Sequence, residues 1–212
     1  MRFKHWMLIT SVLILEVACA GKTGVSAPPP VGDAQQAASN ALITLQKLVT
    51  EQNYKALGFS SLEEVKSAEL AAPLPMYNIG LDRLKNYQAS HDANVLLTAS
   101  SETIYPVTAG GHVRSSVSVV KKENGYTTAS FGNAEIVKGL SRYRNENRPN
   151  AFAVRIPALG LYFLGNRIEN RLMLTPVAED TRLPFRIGEA VPVEEVLKAI
   201  ILLAQTYNGL PM

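Results

Sequence analysis

From His112 to Val119 the side chains alternate, with His112, Arg114, Ser116 and Ser118 on one side and Val113, Ser115, Val117 and Val119 on the other. Alternation of this kind marks a half-buried antiparallel strand. The polar side lines up an imidazole, a guanidinium and hydroxyls, and a paired following strand would add Tyr126, Thr128 and Ser130. Such a row is rich in hydrogen-bond donors. Arg114 is its centre, because a guanidinium grips a carboxylate through two parallel hydrogen bonds. The candidate ligand-binding residues are therefore His112, Arg114, Ser116, Tyr126 and Thr128, and the ligand an acidic small molecule or peptide. The plainer reading of the same row is the solvated face of a sheet.

No catalytic set can be assembled beside it. His91 and His112 are too far apart for a local ligand pair, and no H-E-x-x-H occurs, so no metal or cofactor is expected. There is no G-x-S-x-G, and Gly110-Gly111 lacks the helix and lysine of a phosphate cradle. Glu102, Glu123, Glu135 and Glu169 are carboxylates that no spacing pairs in one cleft. A non-catalytic accessory or ligand-binding module is the favoured class, and a small envelope hydrolase with dispersed acid and base residues is the alternative. Lys138, Arg142, Arg144 and Arg148 form a second group, which reads as cations at a helix C-terminus or as a contact for anionic headgroups or glycan.

The elements that must position these residues follow from periodicity and punctuation. A three-strand meander spans 103–131, with a Gly110-Gly111 turn and a five-residue turn over 121–125. That second turn opposes Val120 with Tyr126, Val117 with Ala129 and Ser115 with Phe131. Pro106 lacks a donor and predicts an edge strand or a bulge. Before the meander, Asp33 caps a helix predicted to run to 57 with Gly58 behind it, and Ser60-Ser61 with Glu63-Glu64 forms a capping box for a shorter one. Asp92 opens a short helix to 98. After the meander come a helix capped by Asn133, a hairpin over 152–177 and a short strand at 184–187. A final helix has Pro192 at its first position and a stripe widened by Ile201 and Leu202. The fold class is α+β, a single antiparallel sheet of about five to seven strands packed by N-terminal and C-terminal amphipathic helices.

The chain has 212 residues, 47% hydrophobic and 18% charged, enough apolar content for a real core over 33–212. A net charge of +3 is too slight for a nucleic-acid partner. Residues 1–20 carry a basic start, an apolar run from Trp6 to Leu15 and small residues at the exit, the physics of a secretory signal. Ala18-Cys19-Ala20 fits cleavage after Ala20. Val17-Ala18-Cys19 resembles the end of a bacterial lipobox, although Glu16 stands where that pattern has an aliphatic residue. The resemblance implies a diacylglycerol on Cys19, the one cysteine of the chain, and a membrane partner through that anchor. Residues 21–32, with Pro28-Pro29-Pro30, read as a semi-rigid linker. Location follows: the periplasmic face of the cell envelope, tethered if Cys19 is lipidated and soluble in the periplasm if not.

Overall fold

The computed structural model describes residues 33–88, 92–144, 150–169 and 171–209. The signal segment with Cys19, the linker, His91 and Arg148 lie outside them. Asp33 caps α1 (Ala34–Leu48) as expected, accepting the Gln35 N–H at 2.7 Å. The helix ends well before 57, because Asn53 folds back on it. Its amide donates to the Leu48 carbonyl at 2.9 Å and its side-chain oxygen accepts the Thr50 N–H at 2.7 Å, a local competition that polar side chains win over continued helix. A separate turn follows. Gly58, at φ 97, closes it while Phe59 N–H reaches the Tyr54 carbonyl and Gly58 N–H reaches that of Lys55.

Among the described residues nine strands make one sheet: β1 (Glu69–Leu70), β2 (Leu74–Ile79), β3 (Leu97–Ala109), β4 (His112–Lys122), β5 (Gly125–Phe131), β6 (Phe152–Ile156), β7 (Leu161–Ile168), β8 (Arg171–Pro176) and β9 (Val191–Pro192). Their order is β5-β4-β3-β2-β6-β7-β8-β9, with β1 also paired to β3. The α+β class and the large, mostly antiparallel sheet agree with the sequence. Strands β1 and β9, two residues each, are too short to leave a pattern. Two features were not expected. Strands β2 and β6 pair in parallel, and residues 184–187 form a loop, the extra pairing falling instead at Val191–Pro192.

Alternation assigns the helices to faces. Leu74, Met76, Ile104, Ala153 and Leu164 point to one face, where α4 (Ala134–Tyr143) buries Val137 and Leu140 against them. The opposite face carries α1 over Tyr105, Val107, Val117 and Val119, and α5 (Val193–Thr206) with α3 (Leu81–Lys85) over Val154, Ile156, Phe163 and Leu174. Both faces are covered over much of the sheet. Pro192 is the cap of α5 rather than its first residue. Leu202 is 65% exposed, since two residues on from buried Ile200 is about 200° round the helix. Asn133 precedes α4 in the left-handed region, at φ 53, and makes no capping bond. The helix expected from Asp92 is a single 3₁₀ turn, Ala93–Leu96, which the Asp92 side chain does cap.

Pro106 lies on an interior strand, and of the two expectations, an edge or a bulge, it is a bulge that is found, between Val107 and Thr108. Its carbonyl accepts the Ala71 N–H at 2.8 Å, in the break between β1 and β2. The ring nitrogen points to the same side of the strand, where no ladder bond is needed.

Close approach of α4 to the sheet depends on Gly139, where an added Cβ would stand 2.2 Å from the Val177 carbonyl oxygen. Alanine in a helix interior ordinarily gains up to about 1 kcal/mol over glycine. Here the sign reverses: urea denaturation of Gly139→Ala is expected to show a net loss of roughly 1–3 kcal/mol as the helix is pushed off the sheet.

Candidate functional site

The expected polar row is split between two faces. The turn between β4 and β5 is Glu123-Asn124, with Gly125 already in the strand at φ 124. This tighter turn pairs Lys121 with Tyr126 and Val120 with Thr127, a slip of one residue from the predicted pairing. A one-residue slip sends every side chain to the opposite face. Tyr126 and Thr128 therefore lie on the α1 side, Tyr126 half-buried against it and Thr128 exposed. A bulge after Ser118 then restores the pairing of Ser118 with Ser130 on the α4 side.

Arg114 is displaced by a second bulge. Thr108 pairs with Val113 and Val107 with Ser115, which leaves Arg114 as the extra residue and carries Val113 to the α4 face. Its guanidinium donates to Glu64 on α2 (Leu62–Lys66) at 2.6 Å, both side chains 23% exposed. The other oxygen of Glu64 accepts the Ser60 N–H at 2.7 Å, and Ser61 Oγ caps Glu64 N–H. The acid of the capping box thus ties α2 to the sheet. The Ser60 backbone bond, followed by the Arg114 charge and hydrogen bond, holds the Glu64 pKa below its ordinary value against the opposing effect of burial. His112 stands exposed beside the Gly110-Gly111 turn. Of the five residues, Ser116 lies on the α4 side, Tyr126 and Thr128 on the α1 side, Arg114 pairs with Glu64, and His112 stands at the turn.

Ser116, expected on a wet face, is 3% exposed under α4. Its hydroxyl donates to the Gly132 carbonyl, while Ser118 and Ser130 share a hydrogen bond at 2.6 Å. Ser116 and Ser118 line a recess of ≈ 20 Å³, about room for one water molecule, with Met76, Glu102, Arg155 and Tyr162. Glu102 reaches it from an irregular stretch of β3 and stands 3.5 Å from Arg155, whose Nε donates to Asn78 at 3.2 Å. The hydroxyls here are engaged with backbone and with each other, and the lining holds no imidazole to activate them.

More space lies where β2 and β6 begin side by side. A groove of ≈ 370 Å³ is lined by Pro73, Pro75, Tyr77, Arg144, Asn150 and Phe152, together with Ala151. The Tyr77 and Phe152 rings stand 4.8 Å apart, inclined at 59°, and form an aromatic wall. Arg144, just past α4, donates through Nη1 to the Ala72 and Pro73 carbonyls at 2.8 and 3.0 Å. These bonds fix one edge of the guanidinium at the groove. From the predicted basic group, Arg144 is thus a groove residue, and Arg142 is exposed on α4. Phe152 was legible as a strand residue; its meeting with Tyr77 was not, because it depends on the parallel pairing. Among the described residues no group of His, Cys, Asp and Glu converges as a metal site.

Comparison with protein-family models, with curated proteins and with solved structures finds no match. The α+β sheet and the geometry of its grooves therefore carry the functional reading.

Two outcomes test the Arg114–Glu64 pair. Arg114→Ala is expected to cost about 1–2 kcal/mol in urea denaturation, beyond the half kcal/mol or so typical of a solvated residue. Because the folded pKa of Glu64 is depressed, its stabilisation is complete above the unfolded value and is lost as pH falls through the folded one. Glu64→Gln should accordingly flatten the acid limb of the stability–pH curve and leave its slope above pH ~6 unchanged.

Proposed function

We propose that this protein is a non-catalytic binding module of the cell envelope, exported on residues 1–20 and held at the periplasmic face by a lipid on Cys19. Its ligand is an extended, carboxylate-bearing peptide lying in the groove between the starts of β2 and β6. The observation that carries this reading is Arg144 at the mouth of a groove with an aromatic wall. Prolines and rings supply an apolar surface of low conformational freedom, and a guanidinium fixed along one edge offers its other donors to an anion. A groove of ≈ 370 Å³ lies in the size range of small-ligand sites. The acidic ligand expected from Arg114 moves with this reading to Arg144. The Cys19 tether draws its support from the sequence: a signal-like start, one cysteine and a proline-rich spacer. No helix among the described residues is long and apolar enough to cross a membrane.

Labelled palmitate in an expressing bacterium is expected to enter the wild-type chain and not Cys19→Ala, which should partition to the soluble periplasmic fraction. Equal membrane retention of both chains would overturn the tether. For the groove, the probe is the peptide Ala-Pro-Pro-Tyr with a free C-terminal carboxylate or with an amide. The acid form should raise Tm and the amide should not, and Asn150→Ala should weaken the response severalfold. Absence of any shift with the acid form overturns the groove as the ligand site.

A further inference from the structure

Helix α1 and the Tyr77–Phe152 wall of this groove lie on the same face of the sheet. Ala34 packs on the cluster that contains Tyr105, and Tyr105 occupies the strand position opposite 73, since Leu74 pairs with Ile104 and Pro75 with Thr103. Burial raises the Tyr105 pKa, and the Asp33 carboxylate raises it further. The chain before Asp33 therefore leaves the domain on the face of the sheet that Pro73, Pro75 and Tyr77 share. The residues it brings there are Ala27, Pro28, Pro29, Pro30, Val31 and Gly32, uncharged throughout. At ~3 Å per residue in polyproline geometry, Pro28 to Gly32 span about 15 Å, enough to cross from β3 over β2 to β6. Proline-rich segments bind grooves walled by aromatic rings because their extended form is already set and little entropy is lost.

We propose that the proline run Pro28–Pro30 of this chain docks in its own groove, against Pro75, Tyr77 and Phe152. Docking is intramolecular, so its effective concentration is high, and an external ligand binds only by displacing it. The tether and the binding site are then one device. Ligand capture frees the spacer and lets the domain stand further from the membrane surface, while the empty domain is drawn towards it. The inference shares the groove with the proposed function, but it does not require that any peptide acid be the ligand.

The test reads occupancy directly in the full chain carrying Cys19→Ala. Ala27→Cys is combined either with Asn150→Cys, which lines the groove, or with Thr128→Cys, exposed on β5 away from it. Under mild oxidation the Asn150 pair is expected to form an intramolecular disulfide at least tenfold faster than the Thr128 pair. Replacing Pro28, Pro29 and Pro30 by serine should abolish that preference. In the otherwise unmodified full chain, the same serine replacements should raise amide exchange over residues 76–79 severalfold. Equal crosslinking rates, unchanged exchange, or disulfides formed only between two chains would overturn the proposal. The last outcome would assign the groove to a second copy. A positive crosslink with no response to the peptide acid would retain this inference and discard the ligand class.

Discussion

Three residue pairs join two antiparallel halves into one sheet: Met76 with Ala153, Tyr77 with Val154 and Asn78 with Arg155. Strands β5, β4, β3 and β2 lie on one side of this parallel seam, and β6 to β9 on the other. Parallel neighbours need a long crossover, and here it comprises β3, β4, β5 and α4. The seam is reinforced on both faces. Asn78 and Arg155 are linked through their side chains on one, and the inclined rings of Tyr77 and Phe152 pack together on the other. Two features sit on it: the Glu102–Arg155 recess under α4, and the groove at the strand starts.

Crossing the seam changes which helix covers the sheet. On one face α1 covers the first half and α5 with α3 the second, so the strands between them are where helical cover passes from one pack to the next. The groove at this junction combines ladder residues, Pro75, Tyr77 and Phe152, with the loop residues Pro73, Arg144, Asn150 and Ala151. On the other face α4 sits over the middle, brought in by Gly139 against Val177, and closes over Ser116 and Ser118. Hydroxyls that would otherwise face water are buried there, and they bond to Gly132 and Ser130 because an unpaired buried hydroxyl is costly.

The bulges account for the remaining departures from simple alternation. The one at Arg114 turns the side chain away from the row and towards Glu64, so a cation suited to a ligand instead anchors the short α2 to the sheet. The one after Ser118 compensates for the tight Glu123-Asn124 turn and returns Ser130 to its partner. Twist and bending of this kind are the usual effect of an extra residue in one strand.

Much of the local structure was written in the sequence. Asp33 as a cap, the Ser61–Glu64 cap, the Gly110-Gly111 turn and the apolar stripe of α5 each depend on neighbours a few residues away. The α+β class followed from the same signals. What the sequence could not decide was register and adjacency. A two-residue turn and a five-residue turn are both compatible with the segment 121–125, yet they send Tyr126 and Thr128 to opposite faces. The meeting of Tyr77 with Phe152, and of Glu102 with Arg155, is set by a pairing of strands more than seventy residues apart, for which no local pattern exists. Nor does alternation reveal whether a polar face is left in water; α4 covers it only because the crossover brings that helix back over the sheet. The residues that could do chemistry were legible by type. Their company was fixed by tertiary packing, since contacts across a sheet depend on which strands lie side by side and in what register.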